Sequence, residues 1–168
     1  MNSEIIKHIW SFIFFTLVQI MFFLNFNLYE YGFAFIYIGF ILFLPLNTPS
    51  ILLLLFAFSQ GVLIDFFYNS IGINAFALVL IAFIKPTISK LFIPKMMDDI
   101  NDLKSLENLG IQRMVIVVLL LSFVHHLVLF SFINGAEFIF SNIVKTFFSA
   151  LITTLILIPF KKILFKNI

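Results

Sequence analysis

The chain reads as an all-α polytopic membrane protein, and three observations lead there. Its 168 residues are 62% hydrophobic, with 26 Phe and only 11% charged residues, and the mean hydropathy is +1.17. A chain this short cannot hide that much apolar surface in one water-soluble core. The apolar residues fall into six runs parted by short polar or proline-bearing breaks, and the basic residues gather beside those runs. A single transmembrane domain over residues 1–168 is therefore expected, with the lipid bilayer as its solvent. The net charge of +2 and the placement of the basic residues argue against nucleic acid as a partner. With no cysteine in the chain, disulfides, thiolate zinc sites and thiol catalysis are excluded.

The first run, Ile5 to Leu24, has Lys7 near its start, and a basic residue with a long apolar run resembles a signal peptide. It lacks a small-x-small cleavage site near residues 22–28, so a retained first span is expected. A perpendicular helix needs about 20 residues to cross the hydrocarbon. Met114 to Ile133 and Phe138 to Phe160 meet that length, whereas Tyr31 to Leu44 and Ile71 to Ile84 have 14 residues each. Either the bilayer thins at these two or protein shields them. The expectation is six spans, or five with one short run re-entrant.

The third run, Ile51 to Phe67, is entered through Pro45 and Pro49. Each removes a backbone donor and disfavours helix in the residue before it, so Leu46, Asn47 and Thr48 should form a turn. Within the run, Ala57, Gly61 and Asp65 recur at a spacing of four. Two small residues and an acid thus share one helical face, which should pack on protein and not on lipid.

The longest polar segment, residues 85–113, reads as a cytoplasmic loop broken by Pro86 and Pro94. Its TISKLFI stretch is apolar enough for the membrane surface, and Asp98 to Asn108 reads as a solvated turn or short helix. With the N-terminus inside, nine of the ten basic residues fall on the cytoplasmic side, which predicts both termini in the cytoplasm. Trp10 near the inner boundary and Tyr29, Tyr31 and Tyr68 near the outer one fit an aromatic belt.

The tenth basic residue, Lys145, lies inside the sixth run, where a lysine costs about 3 kcal/mol unless it snorkels or finds a partner. Asp65 carries a comparable cost. Threading the six runs puts Asp65 and Lys145 in the outer half and His125 and His126 at a related, mid-to-outer depth, with Ser141, Lys145 and Ser149 as a polar stripe on the sixth helix. The expectation is one buried polar cluster in which Asp65 and Lys145 interact, directly or through a water or one of the histidines, and hold the third helix against the sixth. Adjacent histidines point about 100° apart on a helix and cannot both chelate one ion, so no metal is expected. No phosphate-binding loop, serine dyad, HExxH or paired intramembrane aspartates occur in the sequence, and no catalytic site or cofactor is expected.

The order PLNTP at Pro45 to Pro49, then Gly61 with Ile64 and Asp65, then FYNSIGINA at Phe67 to Ala75, and later HHLVLF at His125 to Phe130 resembles the rod shape-determining membrane protein MreD family in its shorter, Bacteroidetes-like versions. Pro45, Asn47, Pro49, Gly61, Asp65 and Gly72 carry the family pattern. The resemblance implies a non-enzymatic inner-membrane subunit that binds the bitopic protein MreC. It also implies a place in an elongation complex with MreB filaments, the RodA glycosyltransferase and a class B penicillin-binding transpeptidase, where such a subunit helps control lateral peptidoglycan synthesis and cell shape. The implied fold is similar to the substrate-binding subunits of energy-coupling-factor transporters. The alternative function is a vitamin-like small-molecule binding subunit of a transporter. The family has no agreed active site, so none is carried over; Pro45, Asn47, Pro49, Gly61, Asp65, Gly72, His125, His126 and Lys145 are structural or partner-binding candidates.

Overall fold

The structure, a computed structural model, describes residues 2–92 and 110–164. Helix α1 (Asn2–Val18) widens into a π-helical turn at Gln19–Phe23. A small antiparallel hairpin follows, β1 (Asn27–Leu28) paired with β2 (Gly32–Phe33). After it come the short helix α2 (Ile38–Phe43) and the long helices α3 (Ser50–Tyr68), α4 (Ile73–Leu91), α5 (Ile111–Asn134) and α6 (Ile139–Leu164), the last two joined through a 3₁₀ turn at Ala136–Phe138. Among the described residues five helices are long and apolar enough to cross a membrane. The protein is an all-α polytopic membrane bundle with one minor hairpin.

Five of the six apolar runs become long helices, and the second does not. Residues 34–37 are extended or turned, and α2 adds less than two helical turns. Every residue from Ala34 to Leu44 is buried, so this pass is shielded by protein and not by a thinner bilayer. It still traverses the bundle. Ala34 lies beside Gln19 at the far end of α1, Phe40 packs edge-on against Phe12, and Leu44 and Pro45 share a small cavity with His8 and Ile9 near the start of α1. The passes therefore alternate between a hairpin end and a proline-turn end. Phe160 of α6 meets Phe14 of α1 while Ser149 meets the hairpin, so α6 runs toward the end where α1 begins.

Non-helical backbone at membrane depth survives only where protein supplies its hydrogen bonds. Here side chains supply them. Phe33 N–H donates to Ser149 Oγ at 2.9 Å and Phe35 N–H to Thr153 Oγ1 at 3.2 Å, both from α6. Gln19 Oε1 accepts from Ile36 and Tyr37 N–H, and Gln19 Nε2 donates to the Ala34 carbonyl at 3.1 Å. At the other end of the pass, Lys85 Nζ donates to the carbonyls of Ile41 (2.9 Å) and Leu44 (2.7 Å), where α2 has run out of its own donors. Close packing completes the shielding: a Cβ on Gly39 would lie 2.5 Å from Leu157 and 2.6 Å from Phe15, so only glycine lets α1 and α6 close over the chain here.

The fourth run is longer than its apolar residues indicate. α4 continues through Lys85 and Pro86 to Leu91, so the polar segment does not begin at residue 85, Pro86 does not break the helix, and most of TISKLFI is helical. Lys85 is buried in the bundle and does not belong to a loop. Pro94 and the stretch Asp98 to Asn108, expected to be a solvated turn or short helix, lie outside the described residues. Large apolar side chains cover the outside of the bundle, among them Ile51, Phe66, Phe140 and Leu155, each more than 70% exposed, as helices solvated by lipid require.

Candidate functional site

The α3–α4 turn at the hairpin end is where most of the sequence-predicted residues meet. Asn69 takes the left-handed conformation at the end of α3, and Gly72 (φ +76°) starts α4 in the same region, which glycine adopts without strain. The buried side chain of Asp65 faces the first turn of α4. Its Oδ1 accepts from Ser70 Oγ, Asn74 N–H and Asn74 Nδ2, and its Oδ2 from Ala75 N–H at 2.9 Å. A carboxyl so placed satisfies amides that open a helix and suits the positive end of the helix dipole. One turn deeper, Gly61 lies against Ala75, whose Cα would be 2.3 Å from a Cβ at residue 61. Ala57, Gly61 and Asp65 are all buried, so the face read from their spacing does pack on protein, and its partner is α4.

That geometry corrects the expected pairing. Asp65 directs its hydrogen bonds to Ser70, Asn74 and Ala75, and among the described residues no ion pair joins it to Lys145. The hairpin brings α4 to the acid within ten residues of chain, ahead of any group on α6. Lys145, half-buried, lines a cavity that Ser70 and Asn74 also border.

The histidines sit deeper in the same polar system. Tyr37 hydroxyl donates to Asn74 Oδ1 at 2.9 Å and stands 2.8 Å from His125 Nε2. With the hydroxyl hydrogen directed at Asn74, His125 donates from Nε2–H, and its buried Nδ1 is left without a partner. His126 has the opposite arrangement: Nδ1–H donates to the Ser122 carbonyl and Nε2 accepts from Thr153 Oγ1 at 3.2 Å. A continuous path therefore runs from Asp65 through Asn74 and Tyr37 to His125, while His126 joins the broken pass through Thr153. Both histidines are fully buried against Phe35. Among the described residues no group of three or more His, Cys, Asp or Glu could hold a metal.

Pro45, Asn47 and Pro49 lie apart from this cluster, at the opposite end of α3. There Thr48 closes the turn by donating from both N–H and Oγ1 to the Pro45 carbonyl (3.2 and 2.7 Å). The same three residues line a cavity of about 280 Å³ with His8 and Leu52. Of the stripe on α6, Ser149 is buried and bonded to the hairpin, and Ser141 lies beside Tyr31 in a shallow cleft.

Several interior polar residues escaped the motif reading, among them Gln19, Tyr37, Lys85 and Thr153. Gln19 is the most connected of them, since beyond the broken pass it also donates to Tyr68 Oη at 2.6 Å. Its signal was its solitude, a lone amide deep in the first apolar run.

At the hairpin end the network borders a cavity of about 740 Å³. Its wall comes from the end of the π-turn, the hairpin, the α3–α4 turn, the last turns of α5 and Lys145 of α6. Comparison with family models, with curated proteins and with solved structures finds no match for this chain.

Proposed function

We propose that the chain is a non-enzymatic subunit of the bacterial cytoplasmic membrane that holds MreC within an elongation complex also containing MreB, RodA and a class B penicillin-binding transpeptidase. In this reading both termini and the proline turn face the cytoplasm, as the basic residues favour, and the hairpin end faces outward. The observation that carries the proposal is how the resemblance residues fall on the fold. Gly61, Asp65 and Gly72 meet at one joint between α3 and α4, and Pro45, Asn47 and Pro49 shape the other end of α3. A pattern that specifies a helical hairpin and its two turns suits a protein whose work is to present surfaces. The interior ionisable groups support the same view: Asp65, Lys85, His125 and His126 each spend their hydrogen bonds on joining one element of the bundle to another or on their own helix.

The test is recovery of partners from a rod-shaped bacterium in mild detergent. MreC should co-purify with the tagged chain, and depletion should round the cells. Recovery without MreC, together with unchanged shape on depletion, would reject the proposal. The alternative, a vitamin-like binding subunit of a transporter, draws support from the hairpin-end cavity; stabilisation of the purified protein by a water-soluble vitamin would favour it.

A further inference from the structure

The hairpin-end cavity has a lining of unequal chemistry. Six phenylalanines, with Leu129, Ile73 and Ile133, form its apolar surface. Polar groups reach it from three sides: asparagines at the start of the hairpin, Asn69, Ser70 and Asn74 from the α3–α4 turn, and Asn134 and Lys145 from α5 and α6. Among the described residues no Asp or Glu lines it, and Asp65 is turned into the first turn of α4. Among the described residues Lys145 is its single charge, and no carboxylate pairs with it. A lysine held inside an apolar helical run without a partner is costly. The cost is offset when an anion enters, since an ammonium and an anionic oxygen form a short charge-assisted bond that is stronger away from water. The volume, about 740 Å³, is in the range of pockets that enclose a small organic molecule.

We infer that this cavity is a binding site for an amphiphile with one anionic group, the anion at Lys145 and the apolar body among the phenylalanines. The chemistry fits a membrane lipid with a phosphate and also a fatty-acid-like molecule from the aqueous side. A zwitterion fits less well, since its cation would meet only aromatic faces and no carboxylate among the described lining residues. The site is independent of the elongation-complex reading, since it concerns the isolated chain.

The test uses the purified full-length chain in a neutral detergent. Phosphatidylglycerol, phosphatidylcholine with the same acyl chains, and decyl phosphate are each titrated while thermal unfolding is followed and bound molecules are counted by native mass spectrometry. Phosphatidylglycerol or decyl phosphate should raise the melting temperature in a saturable way, and phosphatidylcholine should not; which of the two anions binds more tightly assigns the source. Lys145→Gln should weaken the anion about tenfold or more without lowering the melting temperature of the ligand-free protein, and Lys145→Arg should retain most of the binding. Ile73→Trp, which fills the cavity and leaves the lysine in place, should also abolish saturable binding. An equal response to phosphatidylcholine, or a response that survives both Lys145→Gln and Ile73→Trp, overturns the inference and leaves the cavity to an apolar occupant such as a partner helix.

Discussion

Lys85 Nζ stands 2.7 Å from the Leu44 carbonyl oxygen in the interior of the bundle. This contact joins α4 to the end of the broken second pass. It explains why a lysine is tolerated at a fully buried position: the carbonyls at the end of a short helix need donors, and a basic group suits the negative end of its dipole. Lys85→Met keeps the packing volume and removes the donor. It should lower stability in detergent by about 2 kcal/mol, the cost of leaving buried carbonyls unmet. Lys85→Arg should fall between the two, because the larger fork must find room among fully packed neighbours. Thermal unfolding of the three proteins checks the order, and a Met variant as stable as the parent would show that the contact contributes nothing.

Gln19→Leu tests the other end of the same pass. The substitution leaves Ile36 N–H, Tyr37 N–H and the Ala34 carbonyl without their present partner. With about 1–3 kcal/mol for each buried group left unsatisfied, a loss of at least about 3 kcal/mol is expected. Limited proteolysis should then open the chain first near the hairpin.

Gly61→Ala should force α3 and α4 apart, since the added methyl would overlap the Ala75 backbone, with its Cα at 2.3 Å and its nitrogen at 2.8 Å. Overpacking of this kind costs about 1–3 kcal/mol. Gly61→Leu should cost more and reduce the amount of protein inserted. Quantitative detergent-stability curves would expose the error if alanine proved neutral.

Asp65→Ala strands Asn74 N–H and Ala75 N–H and leaves Ser70 Oγ and Asn74 Nδ2 only their bond to each other, and about 3 kcal/mol of destabilisation is expected. Lys145→Gln should change stability little. Because the two groups are not partners, the double variant should equal the sum of the single ones to within about 0.5 kcal/mol. A double-mutant cycle with a coupling well above that value would restore the ion pair expected from the spacing of charges.

The limits of sequence reading are clearest at Asp65 and in the second pass. A spacing of four placed Ala57, Gly61 and Asp65 on one face, and that face is buried. Periodicity names a face and not the helix that meets it, so the charges alone point the acid to a distant lysine, whereas its donors lie five, nine and ten residues along the chain. The long helices were legible because lipid-facing helices of this length leave continuous apolar runs. The second pass was not, since Tyr31 to Leu44 would look equally apolar as a helix in lipid or as extended chain inside protein. Its distinguishing feature is where its backbone hydrogen bonds go, and those partners, Gln19, Lys85, Ser149 and Thr153, lie in three other helices. Of the hairpin-end cavity, Lys145 was visible in advance as an unexplained charge, but the wall of phenylalanines around it depends on a turn, a hairpin and two helix ends that no local pattern brings together.

The buried, broken second pass is the feature on which the rest depends, and the absence of native cysteine makes it directly accessible to labelling. Single cysteines at Ile38 and Leu42, both 0% exposed, can be compared in membranes with single cysteines at Leu55 and Phe58, which are 55% and 57% exposed. With a lipid-soluble maleimide, positions 55 and 58 should label while 38 and 42 stay unreactive until the protein is denatured. Labelling of 38 and 42 at the rate of 55 and 58 in folded protein would contradict the account, because it would make the second run an ordinary helix facing lipid.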